Sequence, residues 1–354
     1  MAAPVTTTTQ IAGPVNVIFQ QTLLRNAKAH CPYFVGSTPA TISEHQGSFT
    51  AKWRRIENLT PVTTALSEIT GNLSHPVRDS VQPSVTDITK AVSKYGNYIL
   101  LNEEVDLVNF NGQADKLTEV LGINAGQSLN RLQRNELEDN ATLVQANGAA
   151  NDAATTSKLL KSDIRSVVNT LQRNSATKFT SQTNGSTNTN TSPLRASFWG
   201  LTHYDVEEDI RDMAGFIPVE SYAGQTATEK NEFGAVGGVR FISSEEASID
   251  ADSGGGNANL RGTTAAATNI DLYTTVILGM DAVGSLGFGM SHIKECYNAG
   301  DNLPAVMMIN KARGSSGIAD PLNELATMGW KSWHGAKILN GNWIRGIRSG
   351  ASAL

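Results

Sequence analysis

The chain has 354 residues, 40% of them hydrophobic, enough apolar material for one large core or two modest ones. Lys and Arg number 28 against 33 Asp and Glu, so the formal charge of -5 excludes bulk electrostatic attraction to nucleic acid. The two cysteines, Cys31 and Cys296, have no CxxC spacing, which excludes a disulfide framework and a thiolate zinc site and leaves two buried free thiols as the expectation.

Residues 1–10 form a Thr-rich polar run with neither the basic nor the apolar region of a secretory signal. No apolar run approaches the roughly 18–20 residues of a membrane span. The expectation is a soluble protein, without a membrane partner, made and used in a cytoplasm. At residues 48–59, SFTAKWRRIENL, Phe49, Ala51 and Trp53 alternate with Thr50, Lys52 and Arg54, the period of a strand. A second extended run, 83–101, carries β-branched Val85, Ile88, Val92 and Ile99. Between the two lie the turn signals Gly71-Asn72, His75-Pro76 and Pro83. Together they predict a long two-stranded arm with an irregular tip.

From 113 to 146, Leu117, Leu121, Ala125, Leu129 and Leu132 fall three or four apart, a long helix with a narrow apolar stripe. Gly122 and Gly126 inside it each cost about 1 kcal/mol of propensity, so they mark close packing or a bend. A second helix follows from Leu160, Ile164, Val167, Val168 and Leu171, with Thr155 or Thr156 as its cap. A short amphipathic helix, 205–213, starts with Asp205 as N-cap and Glu208 completing a capping box. Residues 233–243, FGAVGGVRFIS, read as one Gly-bearing strand. Leu272, Val276, Met280 and Val283 read as a further helix after Asp271. Asn340-Gly341 reads as a tight hairpin between two C-terminal extended segments. The stretches 174–193 and 250–268 read as unstructured surface insertions, being too poor in apolar residues to offset ordering entropy. Helices and strands mix without a βαβ repeat, so the fold class is α+β.

The six histidines are isolated, without HxxxH or HExxH spacing, so no helical metal site is predicted. The acidic cluster of His203, Asp205, Glu207, Glu208, Asp209 and Asp212 could hold a divalent cation or an acid/base pair. Its simpler explanation is the affinity of carboxylates for a helix N-terminus. Residues 284–289, GSLGFG, lack the strand, acidic residue and GK[ST] ending of a phosphate cradle. No GxSxG elbow occurs. No cofactor, metal or catalytic residue is therefore assigned. Lys52, Trp53, Arg54 and Arg55 form the one basic-aromatic group, read chiefly as an intersubunit salt-bridging face. Trp330, Trp333 and Trp343 are large anchors for either a local core or an interface.

Four stretches carry a family resemblance. Residues 329–345, GWKSWHGAKILNGNWIR, resemble the closing segment of the major capsid proteins of short-tailed phages of the coliphage N-four type. Residues 203–222, HYDVEEDIRDMAGFIPVESY, and 233–242, FGAVGGVRFI, resemble the middle of that family in the same order, and Tyr95-Gly96-Asn97-Tyr98 its motif after the extended loop. The resemblance runs from about residue 20 onward and leaves the two insertions without a counterpart. It implies the Hong Kong 97 type capsid fold, with an N-terminal arm at 1–45, an extended β-loop at 46–100 and a peripheral domain with its spine helix at 101–154. An axial domain at 155–327 and C-terminal strands at 328–354 returning to the peripheral domain complete the plan.

The function implied is assembly rather than turnover: a non-enzymatic subunit of an icosahedral virion head, assembled in the host bacterial cytoplasm. Its partners would be copies of itself in hexamers and pentamers, scaffolding, portal and decoration proteins, and packaged double-stranded DNA held non-specifically. Candidate intersubunit contacts are Phe49, Lys52, Trp53, Arg54, Arg55, Trp330, Trp333 and Trp343. The alternatives are another assembling structural protein, of a surface layer or tail, and a hydrolase built on His203 and Asp205.

Overall fold

The period-two pattern of 48–59 gives what it predicts. In the computed structural model, which describes residues 31–42, 47–63, 82–104, 113–179, 196–222, 231–262, 269–288, 296–297, 305–315 and 320–353, this segment is one half of a hairpin. In chain order the first strands are β1 (Ser37–Ile42), β2 (Thr50–Ile56), β3 (Val85–Ala91) and β4 (Ser93–Asn102), followed by the long helix α1 (Gln113–Asn140) and β5 (Thr142–Gln145). The middle holds α2 (Lys161–Arg173), β6 (Phe198–His203), α3 (Tyr204–Arg211), β7 (Ile217–Pro218), β8 (Glu232–Val236), β9 (Val239–Ser244) and β10 (Ile249–Asp250). The last part holds β11 (Leu272–Leu278), β12 (Val283–Phe288), β13 (Cys296–Tyr297), β14 (Val306–Lys311), β15 (Leu325–Ile338) and β16 (Ile344–Ser349).

Three sheets result. A six-stranded sheet has the order β1-β12-β15-β14-β13, with β4 also paired to β15. An eight-stranded sheet has the order β5-β16-β11-β6-β9-β8-β7, with β10 on β11. The hairpin β2-β3 stands alone, in register from Thr50 opposite Ala91 to Ile56 opposite Val85. Parallel pairs (β1 with β12, β6 with β9, β5 with β16) sit among antiparallel ones without a βαβ repeat, so the fold is α+β as expected.

The apolar stripe of α1 is the seam of the six-stranded sheet. Leu121, Ala125 and Leu129 are buried against Val306, Met308, Met328 and Trp330, with Leu117 and Leu132 at the edges. Gly126 marks close packing: the Cys31 thiol donates to its carbonyl at 3.4 Å, where the turn Pro32–Phe34 crosses the helix. Tyr33 fixes that crossing, its N–H bonded to Asn130 Oδ1 and its hydroxyl to Glu138 Oε1. A second core fills the eight-stranded sheet, where α2 and α3 bury Ile164, Val167, Leu171, Val206 and Ile210 against Phe198, Phe241 and Ile277.

Several expectations change, each for a local reason. The long helix stops at Asn140 rather than 146, because the next residues pair with β16 as β5. Neither Thr155 nor Thr156 caps α2; Leu160 is the N-cap and the Asp163 carboxylate accepts its N–H. His203, not Asp205, caps α3, with Nδ1 accepting the N–H of Asp205. Residues 233–243 are two strands, because Gly237 and Gly238 both take positive φ and turn the chain. The helix expected after Asp271 is the strand β11, buried at all seven positions; a continuous apolar run satisfies helical spacing by accident, and its Thr274, Thr275, Val276 and Ile277 are β-branched.

Asn340-Gly341 makes no hairpin. β15 belongs to the six-stranded sheet and β16 to the eight-stranded one, and Asn340 Oδ1 accepts from the N–H of Asn342 in the tight turn that links them. Within 250–268 the described part is packed rather than unstructured: Gly254 donates to Ile270, Gly255 to Thr155, and Leu260 is buried with Ile270 and Leu272. The start of the other insertion, 174–179, is likewise bonded into the fold, Met280 donating to Thr177 and Phe179 to Ser197, while its residues 180–193 and the hairpin tip with Gly71-Asn72 and His75-Pro76 lie outside the described residues.

The two faces of α1 should respond differently to truncation. Leu129→Ala is expected to lower the unfolding free energy by about 2–5 kcal/mol, and Val120→Ala, on the exposed face, by no more than about 0.5 kcal/mol, both measured by urea denaturation.

Candidate functional site

Two places were singled out by sequence, and the structure treats them differently. In the acidic cluster the carboxylates are occupied. Asp205 accepts from the Tyr273 hydroxyl at 2.8 Å and pairs with Arg261 at 2.9 Å. Buried Asp209 takes Lys158 at 3.0 Å and both the N–H and hydroxyl of Ser352, which ties the end of the described chain to α3. Glu207 pairs with Arg211 one turn on. Glu208 and Asp212 face solvent.

The electrostatics match a structural knot. Burial lowers the His203 imidazole below its ordinary value, Asp205 opposing and Arg261 adding to the shift. Burial and the Asp205 carboxylate push the Tyr273 phenol up. A general base needs a free lone pair facing open space, and here Nδ1 of His203 is spent on the helix cap. Among the described residues no group of three His, Cys, Asp or Glu side chains could hold a metal ion. Residues 283–288 form β12, a strand rather than a phosphate cradle. No helix of the described residues is long and apolar enough to cross a membrane.

The hairpin is a different object. One face is seated: Ala51 and Trp53 pack with Ile42, Val92, Leu286, Phe288 and Trp333, and Arg55 donates to the Leu339 carbonyl at 2.8 Å. The other face is open. Lys52 and Arg54 both pair with Asp87 across the strands, at 2.5 and 3.0 Å, and hold its carboxyl below the usual range. Towards the far end the seat runs out. Ile56 is 65% exposed opposite Val85 at 49%, and Leu59 and Val62 beyond them are exposed too. A lone two-stranded ribbon is marginal in water, and no other strand of the described residues pairs with either of its edges.

The tryptophans separate. Trp330 is consumed by the chain's own core, its indole donating to Asn124. Trp343 packs partly buried on the second sheet's core and donates to the Asn174 carbonyl. Trp333 belongs to the hairpin seat, tilted against Phe288 at 6.2 Å with Lys331 over its ring. Phe49 lies against Phe288 at 5.6 Å yet remains 60% exposed. The eight candidates therefore split into Trp330 and Trp343 in cores, Trp53, Arg55 and Trp333 at the hairpin root, and Phe49, Lys52 and Arg54 on the surface.

Sequence reading missed an apolar surface on β4. Tyr95 and Ile99 face α1, which puts Tyr98 and Leu100 outward, both strongly exposed. Tyr98 lines a groove of about 370 Å³ together with Lys94, Gly96, Ile309, Gly329 and Lys331. The period of two along β4 was the available signal.

No protein-family model matches the chain, and no curated protein is similar in sequence. Solved structures are. The capsid of Ralstonia phage GP4 matches at a TM-score of 0.61 and 12% identity, over 91% of this chain and 88% of that one. The mature capsid of bacteriophage PhiM1 matches at 0.51 and 12%, over 89% and 86%. The SrpI encapsulin of Synechococcus elongatus matches at 0.50 and 8%, over 90% and 88%. With nearly whole chains superposed and sequence largely diverged, what is shared is architecture: the chain has the Hong Kong 97 type capsid fold.

Proposed function

We propose that this chain is the major capsid protein of a tailed phage, in the short-tailed coliphage N-four type family, and that it works by assembling rather than by catalysis. The observation that carries the reading is the hairpin: a ribbon seated at its root, where Phe49 is still largely exposed, and left with Ile56, Leu59, Val62 and Val85 exposed at its far end. Exposed apolar surface of this kind is the ordinary mark of an interface. The capsid fold supplies the kind of interface, one between copies of the same chain.

In this reading residues 1–45 are the N-terminal arm and 46–100 the extended loop, which lies over a neighbouring subunit. The six-stranded sheet with α1 is the peripheral domain, and α1 is the spine helix of the region 101–154. The eight-stranded sheet is the axial domain, drawn mostly from 155–327 with the insertions 174–193 and 250–268. Residues 328–354 return to the peripheral domain through β15 and close into the axial sheet through β16. Phe49, Lys52 and Arg54 are the intersubunit contacts among the sequence candidates, with Ile56 and Val85 added. The further partners are scaffolding, portal and decoration proteins and the packaged duplex, in a virion head assembled in the host cytoplasm. Obligate interfaces of this type bury about 2,000–5,000 Å² in total.

Electron microscopy of the purified chain, expressed alone and with its genomic neighbours, tests the reading. Closed hollow polyhedra of uniform size are expected. Sheets or fibres would favour a surface-layer or tail component, and a persistent monomer would sink the proposal. Deleting 66–82 should leave a folded subunit that no longer closes shells, and normal particles from that deletion would refute the loop-overlap assignment. The non-enzymatic part has its own test at the acidic cluster. Asp205→Asn should lower stability by about 1–3 kcal/mol through lost hydrogen bonding, while millimolar Mg²⁺ or Ca²⁺ leaves the melting temperature of the parent protein unchanged.

A further inference from the structure

The root of the hairpin holds a buried basic group that the assembly reading does not use. His334 is 2% exposed, and neither ring nitrogen makes a hydrogen bond of ordinary geometry. Its ring lies tilted on Phe34 at 5.4 Å. In the ladder it is a junction residue, opposite Ser93 of β4 and Gly287 of β12 at once. Beside it lies a polar cavity of about 200 Å³, walled by Lys90 and Ala91 of β3, Ser93 of β4, and Glu136 and Asp139 of α1. Only Val92 separates β3 from β4, so the wall of this cavity is also the point where the hairpin leaves the body.

The charges around the imidazole come from three elements. β3 brings Lys90, α1 brings Glu136 and Asp139, and β15 brings Lys337. Tyr95 of β4 also lines the cavity, while the turn Pro32–Phe34 and β12 contribute Phe34 and Leu286 and no charge. Glu136 is already shared by Lys337 at 3.1 Å and Lys90 at 3.7 Å. A proton on His334 therefore adds a third cation beside Lys90 and Lys337, in a place where the ring faces the Leu286 backbone and, among the described residues, no carboxylate is bonded to it. A buried charge without a partner is not tolerated; the group moves to water or stays neutral.

We infer that His334 is an acid-sensitive latch that holds the root of the β2–β3 hairpin against α1 and β12 when neutral and releases it when protonated. The cavity gives the protonated ring its way out, towards Asp139, and residues 91–93 on the opposite wall move as it leaves. Burial pushes the imidazole down to about 4, the Leu286 backbone opposing and Lys90 adding to the shift. In the opened root the group returns to about 6.5. The closed root is thus fully favoured above pH 6.5 and loses that advantage as pH falls from 6.5 towards 4, with the opening equilibrium rising up to about 300-fold.

Hydrogen exchange of the full-length subunit at pH 7 and pH 4.5, corrected for intrinsic rates, reads the latch directly. At pH 4.5 amides of 50–56 and 85–95 should lose roughly 60-fold in protection, while those of β6 and β11 keep theirs. His334→Leu should abolish the difference. A uniform loss over the whole chain, or an equal loss in the Leu variant, overturns the latch. If that variant does not fold, the ring resonance of His334 in the parent protein decides. Titration near 4 together with the local exchange pattern supports the inference, and titration near 6.5 overturns it.

Discussion

Everything in this molecule is hung on the seam between α1 and the six-stranded sheet. A 28-residue helix has a narrow apolar stripe, and it can be kept only if one continuous partner covers that stripe. β15 supplies it with Met328 and Trp330, β14 with Val306 and Met308, and β4 with Tyr95 and Ile99. Because β4 and β14 both need β15 as their neighbour, the helix, the hairpin root and the C-terminal part are fixed together or not at all. The sheet face turned from α1 is left with Tyr98, Leu100 and a groove lined by Gly96 and Gly329.

The hairpin follows from the same constraint. β3 runs almost without a break into β4, so the ribbon leaves the body along the direction that the sheet imposes. Near the root, Trp53 and Arg55 find partners in the chain's own residues; past Ile56 no layer of the described residues covers it. The paired charges on its open face add solubility more than stability, since exposed ion pairs contribute little. In the proposed reading a second copy of the chain supplies that layer.

How much of this was legible beforehand depended on whether a pattern had one solution or two. The stripe of α1 and the alternation at 49–54 each admit one period, and both elements form where expected. The run after Asp271 admits two, because a strand buried on both faces is apolar at helical spacing as well, and only its β-branched residues favour the strand. Asn340-Gly341 is a hairpin signal only if the flanking strands share a sheet, which no local sequence states. The acidic cluster lies on a short helix as expected, but its cap was misassigned: an imidazole took the role expected of Asp205, and that carboxylate went to Arg261 and Tyr273. The tryptophans of the C-terminal segment could not be divided between core and surface until the partner strands were known.

The pairing of β4 with β15 has a consequence for how the chain is made. Asn102 meets Leu325, its partner, so roughly 200 residues must emerge after β4 before its ladder can form, a wait on the order of tens of seconds at ordinary translation rates. β1 waits similarly for β12. Contacts so distant in sequence form slowly, and until β15 arrives α1 has no partner for Met328 and Trp330 to complete. The hairpin therefore has no finished seat on a nascent chain. Synthesis itself orders the events: in the proposed reading, the surface offered to neighbours would be completed only after β15 has been made, which would keep half-made chains out of the assembly.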